Sequence, residues 1–365
     1  MIRIEEIYAN TLWAYIRRYV PRTRFWFLDP PGHVGIEYLR SYAPPGGEFN
    51  YVLAFDQEPV EISRLRPIID HIVQCEESTN LAPGTGAIIT SEYNSATVAR
   101  LCALNNWKSF YYFYNGWAAL DWFRGYNRSY LLEPYADRTI KHTFISPNRI
   151  IAGERLHRLI LMYHLVKNDL AHNRISFPLI CPAENVTVYQ ASETLLSSYP
   201  DIHQVFAQVP LPLQLETQVV PSYASATLSL QTQSSECLVY VVNETVGSGI
   251  RQHLTEKTFQ PICMQMPFVL ASTAHSLGYL RKYGFETFHS VWDESYDTET
   301  DDHMRMQRIA ELLRELEHTD KQKIHQQCQD IVMHNYNHFY NGGFEARLWQ
   351  ELESVLHDIQ TELFV

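Results

Sequence analysis

The stretch Cys237–Leu270, CLVYVVNETVGSGIRQHLTEKTFQPICMQMPFVL, decides the fold. It reads as an apolar strand, a Gly-containing loop, a short helix opened by Thr255-Glu256-Lys257, and a second apolar strand. A threonine at a helix start caps free backbone N–H groups, and that end of the helix carries partial positive charge. A carboxylate and an ammonium then stand side by side where an anion docks. The carboxylate can accept hydrogen bonds from a sugar diol, and Lys257 can meet a phosphate as a point charge. Together they suit a ribose followed by a diphosphate. Locally the same residues also fit a capped helix with a surface Glu–Lys pair. The complete unit of strand, Asn243-Glu244-Thr245, Gly247 and Gly249, helix and strand tips the balance toward a nucleotide site.

Working outward, the first part of the chain alternates short apolar runs with helical periodicity. Thr23–Leu28, Tyr51–Phe55, Ala87–Thr90 and Ser109–Phe113 each end in polar or turn chemistry, and Arg64–Gln74 and Ser95–Asn105 have helical spacing. Buried strands alternating with helices predict a parallel sheet with ligands beyond its carboxyl edge. A second unit begins near Lys141 with HTFIS, then Pro147-Asn148, then a helix from about Glu154 to His172 carrying Arg155 and Arg158. Val205–Ser235 reads as an irregular crossing. Helices are expected near Asp302–Glu317, Lys321–His338 and Gly343–Leu363. The predicted architecture is α/β, two Rossmann-like domains facing each other, the GT-B arrangement, with a helical C-terminal tail. Its expected divisions are 1–140, 141–340 and a terminal helix at 341–365, which in this fold often returns to the first domain.

Composition narrows the function. The 365 residues allow two medium domains, and 45% hydrophobic with 19% charged residues is ordinary globular composition. No apolar run approaches a membrane span. The N-terminus has early acidic residues and reads as an amphipathic helix rather than a secretory signal. Six scattered cysteines form no CxxC or Cys/His cluster, so neither zinc nor a disulfide framework is expected, and a cytoplasmic location is. The sequons at Asn127, Asn185 and Asn243 carry no meaning there. A net charge of −12 weighs against general nucleic-acid binding.

Each candidate has a plainer counterpart. Arg155 and Arg158, one helical turn apart, can form a diphosphate clamp or simply a basic helix edge. Glu58 leads the candidates for a catalytic base, followed by Asp56 and Glu92; all three also suit structural caps. His33 fits a turn better than a site. The aromatic run Tyr111–Trp117 with Trp122-Phe123 can stack on a sugar, though such residues more often build core. The acidic loop Asp293 to Asp302 lacks an Asp-x-Asp triplet at a strand end, so no metal is expected. Gly247-Ser248-Gly249 is too short for a dinucleotide fingerprint.

The order SPN, two arginines, strand, Asn-Glu-Thr loop and TEK, over roughly Phe144–Phe288, resembles the α-1,3-fucosyltransferases, and more so their viral and bacterial relatives. That resemblance implies a glycosyltransferase with no permanently bound cofactor. Its donor would be a nucleotide-diphosphate sugar, transferred with inversion to an acceptor hydroxyl, by default that of a glycan. It implies Glu256 on the donor ribose and Lys257 on a phosphate. Arg155 or Arg158 would meet the diphosphate, with Asn148, Asn243, Glu244, Thr245 and Thr255 around the nucleotide. The order Val242-Asn243-Glu244-Thr245 departs from the family's usual FEN-T, and the loop before TEK is spaced differently. Two other readings stand beside it: transfer to a modified DNA base, and a catalytically silent nucleotide- or sugar-binding module.

Overall fold

The computed structural model describes residues 3–20, 22–30, 33, 35–43, 50–77, 86–126, 132–215 and 228–363. The sequon at Asn127 and part of the 205–235 crossing lie outside them. The chain forms two compact units, Met1–Asp121 with Glu345–Val365, and Trp122–Phe344. Both are Rossmann-like α/β units, and helices close the chain, as the sequence pattern predicts.

In the first unit β1 (Thr23–Leu28), β3 (Asn50–Ala54), β4 (Gly86–Thr90) and β5 (Lys108–Tyr111) run parallel, and β2 (Leu39–Tyr42) pairs antiparallel at the β1 edge. β2 has no apolar run to announce it: only Leu39 of its four residues is buried. The helix Ile62–Glu77 places Leu65, Ile68, Ile69 and Ile72 in one buried stripe, the i, i+3, i+4, i+7 spacing of an amphipathic helix. Burying each such side chain stabilises the fold by about 2 kcal/mol. The amphipathic N-terminal segment is built from a 3-10 turn, a π-helical stretch and a short α-helix between Ile4 and Tyr19. Helix Gly343–Glu362 lies largely in this unit through Leu348, Leu352, Leu356 and Ile359. Trp349 meets Trp117 edge-on at 4.9 Å, and the Glu351 carboxylate accepts from Phe113 N–H at 2.7 Å.

In the second unit β6 (His142–Pro147), β7 (Arg174–Ser176), β10 (Cys237–Asn243) and β11 (Phe268–Ala271) form a parallel sheet in the order β11-β10-β6-β7. A small antiparallel pair, β8 (Ile180–Cys181) and β9 (Val186–Thr187), stands apart. All seven residues of β10 are buried, which explains its unbroken apolar run. Residues 122–141 belong here because Arg138 is buried against the carbonyls of Met264 and Gln265, closing the C-terminus of helix Glu256–Cys263. The Tyr135 and His325 side chains likewise donate to each other's backbone carbonyls.

The strand order fixes the site. From β6 the chain crosses through helix Leu156–Lys167 to β7 on one side; from β10 it crosses through helix Glu256–Cys263 to β11 on the other. β6 and β10 are hydrogen-bonded neighbours whose exits diverge, which opens a crevice at their carboxyl ends.

Candidate nucleotide-sugar site

Ser146, near the end of β6, links the two diverging strands. Its hydroxyl accepts from Asn243 Nδ2 at 3.0 Å and from Asn148 Nδ2 at 3.4 Å. Each amide nitrogen also faces a backbone carbonyl, Val241 O for Asn243 and Ser146 O for Asn148, which sets the amide orientation. The two Oδ1 atoms are left buried and without a partner. Leaving such an acceptor unmet costs about 1–3 kcal/mol, so both suit a ligand that donates hydrogen bonds.

Helix Leu156–Lys167 follows β6 through a 3-10 turn, Gly153–Arg155, in which Gly153 takes a φ of +65°. Neither the turn nor the helix has a side-chain cap. Its positive end is therefore uncapped beside Arg155, a half-exposed guanidinium with no hydrogen bond or ion pair among the described residues. The second arginine is placed differently. Arg158 is buried and donates from Nη1 to Ile150 O, and from Nη2 to Asn243 O at 2.8 Å and Glu244 O at 2.7 Å. Burial, with Arg155 nearby, pushes its guanidinium down to about 9, still well above neutrality. Arg158 thus fastens the end of β10, and the clamp expected from two arginines reduces to Arg155.

Glu244 also corrects the sequence reading. Fully buried, its carboxylate accepts from Thr245 N–H, Thr255 N–H, Thr255 Oγ1 and Thr258 Oγ1. A protein carboxylate therefore already occupies the start of helix Glu256–Cys263, where an incoming anion was expected. Thr255 does cap that helix, its hydroxyl accepting from Lys257 N–H at 3.4 Å. Lys257 Nζ contacts Glu256 Oε1 at 2.8 Å, Thr255 Oγ1 at 3.2 Å and Thr245 Oγ1 at 3.3 Å, and its side chain is 27% exposed. The ammonium is held in place yet open to solvent on one side.

The first-unit candidates separate as sharply. Asp56 is buried, with one carboxylate oxygen 2.6 Å from Tyr8 Oη and the other 2.5 Å from Tyr112 Oη. Burial pushes its carboxyl up to about 6 against the pull of the two tyrosine hydroxyls. With both oxygens occupied by buried phenols, Asp56 is closed to an acceptor. Glu92 is buried as well and receives Val60 N–H at 2.9 Å. Glu58 is half-buried in the turn after β3. Tyr112, Phe113, Tyr114, Trp117 and Phe123 are core; of the aromatic run only Tyr111 and Trp122 keep partial exposure.

The acidic loop is spent on capping. Asp297 receives the N–H groups of Leu277 and Gly278, Glu294 that of Phe288, and Asp301 those of His303 and Met304. Among the described residues no group of three or more His, Cys, Asp or Glu is arranged to hold a metal. No helix among them is long and apolar enough to cross a membrane, and none of the six cysteines is in a disulfide. Sequence reasoning missed His157 and Arg305, since nothing local marks a histidine or arginine that binds backbone far along the chain.

No protein-family model matches the sequence, and no curated protein matches it. The likeness to α-1,3-fucosyltransferases is thus confined to the motif order. Two solved structures share part of the fold. One is the DNA modifying enzyme beta-glucosyltransferase, crystallised in the presence and absence of the substrate uridine diphosphoglucose. It is 10% identical over 88% of this chain and 76% of that one, with a TM-score of 0.42. The other is T4 phage BGT in complex with its UDP-glucose substrate, 10% identical over 86% and 74%, also with a TM-score of 0.42.

Proposed function

We propose that the protein is a glycosyltransferase that takes a nucleotide-diphosphate sugar and moves the sugar to an acceptor hydroxyl. One observation carries the reading. The crevice between β6 and β10 combines two buried, unpartnered amide oxygens with an uncapped helix start, the unpaired Arg155 and the half-open Glu256–Lys257 pair. Acceptors suit the hydroxyl or N–H groups of a nucleoside, and cations suit a diphosphate.

In this mechanism Glu256 holds the ribose diol, and Arg155 and Lys257 hold the phosphates. As the acceptor oxygen attacks the anomeric carbon, the bond to the diphosphate oxygen breaks and negative charge grows on the leaving group. Both cations then bind more tightly than in the ground state, which is how they accelerate the step. Glu58 takes the proton of the acceptor hydroxyl. The choice of Glu58 over Asp56 is supported by the two tyrosine hydroxyls bonded to the Asp56 carboxylate. The motif order implies a glycan acceptor, and the net charge of −12 weighs against DNA.

A thermal-shift screen against GDP, UDP, CDP and dTDP tests the reading, first without metal and then with it. Stabilisation by one nucleotide, lost in Lys257→Ala, is the expected result. No stabilisation by any of the four would sink the donor assignment. Binding without sugar hydrolysis or transfer would leave a silent nucleotide-binding module.

A further inference from the structure

The loop leaving β10 is fastened from behind by buried groups. Arg158 Nη2 donates to the carbonyls of Asn243 and Glu244, and the His157 ring meets Glu244 O at 3.1 Å. Ser272 Oγ donates to Val246 O at 3.3 Å, and the buried Arg305 donates from Nη2 to Gly247 O at 2.8 Å. A trans peptide is planar, so each N–H points opposite to the carbonyl of the residue before it. Holding Val246 O on Ser272 therefore turns Gly247 N–H the other way, and holding Gly247 O on Arg305 does the same for Ser248 N–H.

Neither of these N–H groups has a partner among the described residues. Gly247 is buried, where an unmet N–H is costly. The next N–H in the run, that of Gly249, already rests on an anion: the Asp302 carboxylate, at 3.2 and 3.3 Å. Successive N–H groups displayed by one loop make a concavity for anions. The position also demands glycine, since a Cβ on Gly247 would lie 2.1 Å from the His157 ring. Two cations lie near the loop. Lys257 Nζ contacts Thr245, two residues before Gly247, and the charge of Arg155 acts on His157 and Arg158, whose side chains hold the Glu244 carbonyl.

We propose that the Gly247–Ser248 peptide pair is an anion cradle that receives one phosphate of the donor's diphosphate through main-chain N–H groups, with Lys257 and Arg155 nearby. The assignment of that phosphate to the donor rests on the glycosyltransferase reading; the anion site itself does not. Arg305 and Ser272 are positioning residues, which aim the loop without touching the ligand.

The chain contains a single Gly-Ser dipeptide, Gly247-Ser248. Labelling glycine carbonyl carbon and serine nitrogen therefore isolates the Ser248 amide by NMR in the unmutated protein. Valine carbonyl with glycine nitrogen leaves only Gly35 and Gly247 to separate. Titration with inorganic pyrophosphate, and separately with the nucleoside diphosphate that binds, should shift both amides downfield and to saturation. Gly247→Ala keeps both N–H groups but drives a Cβ into the His157 ring, so by displacing the loop it should weaken pyrophosphate binding by roughly tenfold or more. If pyrophosphate binds by calorimetry while both amides stay still, the cradle is overturned and the donor reading survives. If pyrophosphate moves them but no nucleoside diphosphate binds, the cradle stands and the donor reading falls. If neither ligand binds, both are wrong.

Discussion

Glu244 and Thr255 meet twice: one carboxylate oxygen accepts the Thr255 backbone N–H at 3.0 Å, the other its hydroxyl at 2.7 Å. This places a protein anion at the start of the Glu256–Cys263 helix and joins the end of β10 to the Thr255-Glu256-Lys257 motif. The Glu244 carboxylate is thus occupied by the fold.

Removing that carboxylate should be costly. Glu244→Ala strands the N–H groups of Thr245 and Thr255 and two buried hydroxyls, so it should destabilise the protein by about 3 kcal/mol or more. Urea denaturation measures this. A loss under about 0.5 kcal/mol would mean the network does not hold the loop.

Arg155 should behave in the opposite way. With no partner among the described residues, Arg155→Ala should leave the urea midpoint nearly unchanged while weakening nucleoside diphosphate binding about tenfold or more. Unchanged affinity by calorimetry would remove Arg155 from the donor site.

Lys257→Ala and Glu256→Ala should separate the two halves of the donor. The first should weaken binding of the diphosphate and spare the bare nucleoside; the second should weaken both. Because Glu256 is buried and Lys257 is 27% exposed, urea denaturation of both variants is measured beside binding, to separate lost affinity from lost stability. Equal losses for nucleoside and nucleoside diphosphate in Lys257→Ala would contradict the phosphate role.

Asp56 makes a pH signature. Its carboxyl titrates at about 6 in the folded protein against 3.8 for an unperturbed aspartate, chiefly because of burial. The folded state therefore binds this proton more tightly than the unfolded state. Its contribution is fully present below about pH 4 and is lost as pH rises through 6, about 3 kcal/mol in all. Other buried acids overlap this range, so the comparison is with Asp56→Asn, which should lack that component. The difference in unfolding free energy between the two proteins should change between pH 4 and 7; a constant difference would show that Asp56 does not titrate there.

Glu58→Gln should lower kcat by about a hundredfold while leaving donor affinity intact, as expected for a general base. Full turnover would require another base. A chelator should leave turnover unchanged, and its complete loss would call for a metal.

Much of the architecture was legible because it is local. Apolar runs such as Val239–Val242, the 65-68-69-72 stripe and the Thr255 cap are patterns within one or two turns of chain, and they predicted parallel strands, helices and their order. β2 escaped notice because an edge strand with one buried residue has no apolar period. In the candidate site, residue types pointed to the crevice where β6 and β10 diverge. They could not say which polar groups were already committed. Arg155 and Arg158 look equivalent in sequence, three residues apart, yet one is unpartnered and the other binds carbonyls 85 and 86 positions away. Asp56 follows Glu58 as a candidate base in the sequence, and only the structure shows Tyr8 and Tyr112 bonded to both of its oxygens. The sequence by itself determined the main parallel strands and helices, their order and the chemistry available at the sheet edges, since these follow from periodicity and side-chain type. Only the tertiary structure decided which charges are already paired within the fold and which are left open. A buried charge must find partners wherever the chain brings them, and that distance leaves no mark on the neighbouring residues.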